Sequence, residues 1–183
     1  YSEAAKFYEL YSSTYPKLED AELALSNAAT FRHGLGQLDL AIKNFETYLE
    51  LYGARDEKRS AEVYFLIGEI YEQQGSKKKA YEQYNSYIRK MARKGTPDHL
   101  LQAHVRIGKY YYEQKGKTNR RKAMAWFKKT LKAYNKFDKA EQQEMKAGRD
   151  AAAQAKFYFG IDAFQEMALA MAAGLATALG LVG

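Results

Sequence analysis

The stretch AEVYFLIGEIYEQQGSKKKAYEQYNSYI, residues 61–88, decides the fold of this chain. Both of its halves carry large and small side chains three and four residues apart, which puts them on one face of a helix. These residues are Tyr64, Gly68 and Tyr71 in the first half, and Ala80, Tyr84 and Tyr87 in the second. Between the halves, Gly75 is the residue type that ends a helix and lets the chain reverse. The stretch therefore predicts a pair of antiparallel helices.

The pattern of the second half recurs four times along the chain. The four sets are Ala4, Tyr8 and Tyr11; Ala41, Phe45 and Tyr48; Ala80, Tyr84 and Tyr87; and Ala123, Phe127 and Thr130. Their alanines are 37, 39 and 43 residues apart, and periods of this length are typical of stacked helical repeats. The sequence therefore predicts an all-α fold, an α–α superhelix of antiparallel helix pairs.

This pattern of aromatic, small residue, aromatic, glycine turn, alanine and aromatic resembles the tetratricopeptide repeat family. The resemblance covers most of residues 1–134 and implies a right-handed solenoid whose first helices line a concave protein-binding groove. Three features depart from the family, one of them a final helix of about thirty residues, twice the usual length. The repeats exceed its standard length of about 34 residues, and tyrosine stands at positions 11, 48 and 87, where the family more often has alanine.

The repeats predict one domain over residues 1–168, followed by an apolar tail over residues 169–183. The domain divides into a half repeat 1–18, repeats near 19–55, 56–96 and 97–136, and one long final helix 138–168. Earlier helices are expected near 2–14, 19–33, 37–52, 57–74, 77–94, 98–115 and 119–135. The tail is uncharged and is expected to cap the last repeat or to belong to an artificial end, with a membrane anchor as the alternative. We expect the sequence to begin inside a longer protein.

The family resemblance also implies which side chains line the groove, namely inward-facing positions on the first helices. They are Leu23, Ser26, Thr30 and His33; Glu62, Phe65, Glu69 and Glu72; Gln102, Val105, Lys109 and Tyr112; and Phe157 and Phe164 of the long helix. This mixture of acidic and apolar groups favours an extended or helical peptide with apolar anchors and a basic residue. Each position could instead be an ordinary solvated helix surface.

Positive charge is concentrated in residues 77–139, which hold 19 Lys and Arg but only 4 Asp and Glu. Its clusters include Lys77, Lys78, Lys79, Arg89, Lys90, Arg93, Lys94, Arg120, Arg121, Lys122, Lys128, Lys129 and Lys132. Such a surface attracts acidic proteins, anionic lipids or nucleic acid. It is equally well explained as a solvated lysine-rich helix surface, and no nucleic-acid motif accompanies it.

The sequence offers no candidate catalytic, cofactor or metal site. It contains no cysteine, which excludes disulfides and thiolate metal sites. His99 and His104 are five residues apart on a predicted helix and so point to different faces. No phosphate-binding glycine loop or nucleophile elbow is present.

These observations predict a non-enzymatic scaffold that binds a peptide or partner protein. The phrases FYELYSSTYP and NFETYLELYG resemble bacterial envelope members of the family, so an assembly role in a periplasm-facing envelope complex is expected. Two alternatives remain open, a cytoplasmic adaptor and a binder of polyanions such as anionic lipid, an envelope polymer or nucleic acid. Membrane association is possible through the apolar tail or through a segment before Tyr1.

Overall fold

A computed structural model describes residues 1–178, and this part of the chain contains helices and no strand. Its helices are α1 (Ser2–Thr14), α2 (Ala21–Gly34), α3 (Leu38–Tyr52), α4 (Glu57–Gln73), α5 (Lys77–Lys90), α6 (Pro97–Glu113), α7 (Lys117–Tyr134), α8 (Lys139–Glu144) and α9 (Lys146–Ala178). The first seven begin and end within a few residues of the predicted bounds. The predicted all-α helical repeat is thereby confirmed.

The chain forms two compact units, and the division falls inside α6. The first unit runs from Tyr1 to Ala103 and holds α1 to α5 with the start of α6. The second begins at His104 and holds the rest of α6 with α7, α8 and α9. The sequence predicted a single repeat domain over residues 1–168, because the repeat pattern itself continues across α6 without interruption.

In the first unit, α2 pairs with α3 and α4 pairs with α5, while α1 packs against α2. One apolar cluster joins three successive helices, with Leu25 from α2, Phe45 from α3 and Ile67 from α4 among its buried members. Burial of such side chains contributes roughly 1.5–3 kcal/mol each. The core of this unit therefore lies between neighbouring helix pairs as well as within each pair, as stacked repeats require.

Each helix pair turns on a glycine with a positive φ angle. Gly36 (φ 70°) donates its N–H to the His33 carbonyl, and Gly75 (φ 71°) donates to the Glu72 carbonyl, both at 2.9 Å. Gly116 (φ 81°) occupies the same place between α6 and α7. Glycine adopts this left-handed conformation without the steric penalty of other residues, so the predicted turn glycines are confirmed.

A second glycine in the first helix of two pairs lies against an aromatic ring of the second helix. A Cβ atom added to Gly68 would lie 2.6 Å from Cε1 of Tyr84, and one added to Gly108 would lie 2.6 Å from Cε1 of Phe127. There is no room for a methyl group at such distances. These glycines therefore set how closely the two helices of a pair approach.

The predicted long helix over residues 138–168 is wrong at both ends. Asp138 caps the short helix α8 by accepting a hydrogen bond from the Glu141 N–H at 2.9 Å, and Glu141 bonds back to the Asp138 N–H. Met145 then leaves the helical conformation with ψ 73° and buries its side chain. Helical periodicity alone does not show this break.

After the break, α9 continues through residue 168, the predicted end of the helix, as far as Ala178. The first ten residues of the predicted tail are therefore helical, and residues 179–183 lie outside the described part. Among the residues the structure describes, no helix combines the length and the apolar character needed to span a membrane.

Candidate protein-binding surface

Two first helices of the first unit, α2 and α4, share one face. Arg59 of α4 donates from Nη2 to the Ser26 hydroxyl of α2 at 3.2 Å, and His33 Nε2 lies 2.9 Å from Oε1 of Gln73. These bonds bring together most of the side chains that the sequence predicted for the two helices. We call this set the first-helix surface: Leu23, Ser26, Thr30, His33, Glu62, Glu69 and Glu72.

The first-helix surface combines an apolar edge with negative charge. Leu23 is 61% exposed, and Thr30 and Glu72 are also exposed. Glu62 pairs with Arg59, whose Nη1 lies 3.1 Å from Oε2, while Glu69 and Glu72 add two further carboxylates. Three carboxylates along one stretch of α4 favour a cationic group on whatever binds this surface.

The prediction that Phe65 lines the groove is wrong. Phe65 is only 2% exposed, and its ring stacks on His99 with centroids 4.3 Å apart. It also packs against Tyr84 and Tyr87 of the second helix, at 5.4 and 5.6 Å between centroids. A side chain enclosed in this way cannot reach a partner protein, so Phe65 belongs to the core.

The prediction that Val105 lines the groove is wrong for the same reason, because Val105 is also buried. Phe65 and Val105 each stand three residues before the glycine that lies against an aromatic ring, Gly68 or Gly108. Residues three apart share a helix face, so both positions point toward the second helix of their pair. This spacing was visible in the sequence and could have assigned both residues to the core.

The other predicted groove residues lie in different surroundings. Gln102 is half-buried at the end of the first unit, and Lys109 of the second unit is exposed. Tyr112 packs against Tyr158 of α9, with ring centroids 4.8 Å apart. Phe157 and Phe164 are largely exposed on α9. The role of these side chains as binding residues stays a prediction.

Most of the predicted basic residues are exposed, on α5 and its turns in the first unit and on α7 in the second. Several have local partners. Lys94 pairs with Glu57, Lys90 lies 5.6 Å above the ring of Tyr64, and Lys129 lies 4.0 Å above the ring of Trp126. The first two contacts reach from α5 and the turn after it to α4, and the third lies within α7.

Arg120 is an exception among the basic residues, because it is half-buried and structural. Its guanidinium pairs with the Asp162 carboxylate of α9 and donates from Nη2 to the Asp162 carbonyl at 2.8 Å. The carboxylate raises the pKa of Arg120, against the opposing effect of burial. Arg120 therefore ties α7 to α9, and its assignment to a free basic surface is wrong.

An apolar pocket of about 670 Å³ lies between α1 and α2. Six of the residues that line it are Phe7, Tyr8, Leu10 and Tyr11 of α1, Tyr15 directly after α1, and Leu23 of α2. The repeat pattern identified Tyr8 and Tyr11 only as repeat positions and assigned no role to Phe7, Leu10 and Tyr15. Phe7 and Leu10 could have been found from the sequence, because α1 carries large apolar side chains on more of its circumference than one core face needs.

Chemistry-bearing clusters are few in the described residues. No three His, Asp or Glu side chains there are arranged to hold a metal ion. His104 is half-buried against Trp126, with ring centroids 5.4 Å apart and with no hydrogen-bond partner for Nδ1. Burial, and secondarily the charge of Lys129, lowers the pKa of His104 to about 4, which keeps the ring neutral near pH 7.

Two solved structures are similar to this chain over most of its length. The crystal structure of MamA is 18% identical, covers 91% of this chain and 89% of its own, and has a TM-score of 0.48. The C-terminal part of a TPR repeat-containing protein from Cytophaga hutchinsonii is 19% identical, with 86% of this chain and 58% of that one covered and a TM-score of 0.47. No protein-family model and no curated protein sequence matches. The helix pairs, their glycine turns and their recurring aromatic positions give this chain a tetratricopeptide-like, all-α repeat fold.

Proposed function

We propose that this protein is a non-enzymatic scaffold that binds a peptide segment of a partner protein on the first-helix surface. The observation that carries the proposal is the joining of α2 and α4 into one exposed face by the Ser26–Arg59 and His33–Gln73 contacts. Rigid helices hold these side chains in fixed positions. A surface organised before binding costs less conformational entropy when a ligand orders on it.

The chemistry of the surface defines the peptide. Leu23 supplies an apolar anchor point at one end, and Glu62, Glu69 and Glu72 supply negative charge along α4. A peptide with a lysine or arginine facing α4 and an aliphatic side chain facing Leu23 complements both. Charge complementarity of this kind contributes more to partner choice and to association rate than to affinity.

A peptide-display selection on the purified protein tests this proposal. Selected peptides would be synthesised, and their affinities measured by fluorescence polarisation for the wild type and for the variant Glu62→Lys/Glu69→Lys/Glu72→Lys. We expect the peptides to be rich in basic residues and to bind the variant at least about tenfold more weakly, which corresponds to about 1.4 kcal/mol.

The matched control makes the same change of charge on the second helices. Glu46, Glu50 and Glu82 are exposed on α3 and α5, so Glu46→Lys/Glu50→Lys/Glu82→Lys alters net charge equally without touching the first-helix surface. If both variants weakened peptide binding equally, general electrostatic attraction and not this surface would account for the binding.

The setting that we propose is assembly of a bacterial envelope complex on its periplasmic side. It is supported by the resemblance of the segments FYELYSSTYP and NFETYLELYG to envelope repeat proteins. Immunogold labelling of the native organism separates this setting from a cytoplasmic adaptor. Labelling confined to the cytoplasm would reject the envelope proposal and leave the peptide-binding surface untouched.

Polyanion binding is the alternative function, and the exposure of Lys128, Lys129 and Lys132 along α7 favours it. The variant Lys128→Glu/Lys129→Glu/Lys132→Glu would then elute from heparin at lower salt and bind anionic vesicles more weakly, since fewer counterions are released. Unchanged elution would dismiss this alternative.

A further inference from the structure

An apolar groove of about 310 Å³ lies between α1 and α3, the second helices of successive repeats in the first unit. Four leucines line it, namely Leu10 of α1, Leu25 of α2, and Leu40 and Leu51 of α3. We call it the leucine groove. None of its lining residues belongs to the first-helix surface, so it is a separate feature of the same unit.

Two leucines of α3 face this groove instead of the core. Leu40 and Leu51 are 42% and 47% exposed, whereas Leu38 and Leu49 of the same helix pack against the core of the unit. A single exposed leucine is common on protein surfaces. Leu40 and Leu51, however, stand eleven residues apart, which is about three helical turns, and therefore lie along one side of α3.

The equivalent groove of the next repeat, between α3 and α5, is polar. Each of the two leucines has a lysine as its counterpart one repeat later, Lys79 for Leu40 and Lys90 for Leu51. Lys90 lines that next groove and lies 3.5 Å from the Tyr64 hydroxyl. Because the repeat folds with lysine at both positions, packing of the helices does not require leucine there. The two leucines are therefore free to serve binding.

The polar side chains of the leucine groove are largely occupied by bonds within the protein. The hydroxyls of Ser12, Ser13 and Thr47 each donate to a carbonyl of their own helix, and Asn44 donates to the Glu9 carboxylate. The groove therefore offers few hydrogen-bond donors to the backbone of an extended peptide. A helix forms its backbone hydrogen bonds internally. An apolar groove between two helices thus fits a helical ligand better than an extended one.

Lys43 gives the groove a positive charge between its two exposed leucines. It is exposed and follows Leu40 by three residues, which places it one turn along the same side of α3. The carboxylate of the groove, Glu9, already accepts hydrogen bonds from Arg32 and Asn44. The charge of Lys43 therefore favours an acidic side chain on whatever fills the groove.

We propose that the leucine groove binds an amphipathic helix of a second partner protein. The helix presents two apolar side chains eleven residues apart, about 16 Å along its axis, to Leu40 and Leu51. An aspartate or glutamate one turn from one of these side chains faces Lys43. The first unit then carries two binding surfaces of opposite charge preference, and the protein can hold two partners at once.

A library of synthetic helical peptides tests this proposal. The probes are alanine-rich peptides of about 18 residues, long enough to form a helix alone, with one face randomised. We expect selection on the wild-type protein to yield two apolar residues eleven apart with an acidic residue one turn from one of them. The selected peptides should bind the variant Leu40→Lys/Leu51→Lys at least about tenfold more weakly, as measured by fluorescence polarisation. Circular dichroism and a thermal melt check that the variant, which has the lysines of the next repeat, is folded.

The matched control is Leu18→Lys/Leu35→Lys, which adds the same charge at leucines that are 49% and 43% exposed outside the groove. The control should bind the selected peptides as the wild type does. Lys43→Glu should weaken binding of these acidic peptides, and exchange of the acidic residue of the peptide for lysine should restore it. Restoration by the exchange shows that the two charges face each other.

The proposal is overturned if the wild type selects no helical peptide, or if Leu40→Lys/Leu51→Lys and the control lower the affinity equally. It is also overturned if sedimentation shows that the wild type self-associates through these leucines, because a second copy then fills the groove. Binding to phosphatidylcholine vesicles that the same variant abolishes would assign the groove to a membrane instead. The variant with lysine at positions 62, 69 and 72 should bind the helical peptides normally, so failure of the peptide-surface proposal is distinguishable from failure of this one.

Discussion

Arg32 and Glu9 form a two-pronged ion pair that joins α2 to α1, with Nε to Oε1 at 2.8 Å and Nη2 to Oε2 at 2.7 Å. Asn44 of α3 donates to the same carboxylate at 2.7 Å, and Arg32 Nη1 donates to Gln37 at 2.6 Å. Arg32 is nearly buried, at the position where the next repeat has Tyr71. One polar cluster thus replaces an aromatic contact between α1 and the first full repeat.

Removing the carboxylate should destabilise the protein, because it leaves the buried guanidinium without its charged partner. We expect Glu9→Leu to lower the free energy of unfolding by about 2–3 kcal/mol, measured by urea denaturation. Glu3→Gln, which breaks the exposed pair with Lys6 on the same helix, should leave the free energy of unfolding almost unchanged, because water screens an exposed pair. Equal effects of the two substitutions would contradict a structural role for the Arg32–Glu9 pair.

The pair also predicts acid sensitivity. The Arg32 guanidinium holds the pKa of Glu9 below its usual range, against the effect of burial. A carboxyl whose pKa is lower in the folded state stabilises the fold above its unfolded pKa, and this contribution is lost as the pH falls through the folded pKa. We therefore expect the stability difference between wild type and Glu9→Gln to shrink progressively below about pH 4.5. A constant difference down to pH 2 would argue against this linkage.

Protonation of His104 in the unfolded chain should cause a second loss of stability as the pH falls, in a higher pH range than for Glu9. Its pKa is about 4 in the folded protein and about 6.5 in the unfolded chain, so its contribution is complete above pH 6.5 and falls as the pH drops toward 4. The expected loss is at most about 3 kcal/mol. His104→Gln should flatten the stability profile between pH 6.5 and 4, and NMR titration should place the ring's pKa near 4. An NMR value near 6.5 would contradict the burial of the ring.

Truncation of two phenylalanines at the same repeat position should affect the free energy of unfolding very differently. Phe65→Ala removes a buried ring and should lower the free energy of unfolding by about 3–5 kcal/mol. Phe157→Ala removes an exposed ring and should change it by less than about 0.5 kcal/mol. Chemical denaturation of both variants under identical conditions tests this contrast. A loss of less than about 1 kcal/mol for Phe65→Ala would contradict the assignment of Phe65 to the core.

Alanine substitutions at the helix glycines should likewise differ in their effect on stability. Gly68→Ala and Gly108→Ala each place a methyl group 2.6 Å from an aromatic ring and should destabilise the fold, by about 1–3 kcal/mol. Gly160→Ala meets open space and should stabilise the fold by up to about 1 kcal/mol, because alanine favours the helix. Thermal melts of the three variants decide the matter. A stabilising Gly68→Ala would show that the helix pair is looser than its geometry indicates.

The helices and their turns were largely predictable because their signals are local. A helix face repeats every three to four residues, and a glycine turn depends on the backbone of a single residue. For this reason the bounds of α1 and the turn at Gly75 could be predicted without any knowledge of the rest of the chain. The break at Met145 was missed because both α8 and α9 continue the helical pattern on either side of it.

The candidate site depended on information that the periodicity does not contain. The amino-acid sequence determined that Phe65 and Phe157 occupy the same position of a repeat, and tertiary structure alone decided that the first is enclosed and the second is open. In the same way, the sequence supplied Arg32 and Glu9, but only the packing of α2 on α1 brought their charges together across 23 residues. Local propensity specifies which way a side chain points along its own helix, whereas burial and charge pairing require a second helix to be present at that side.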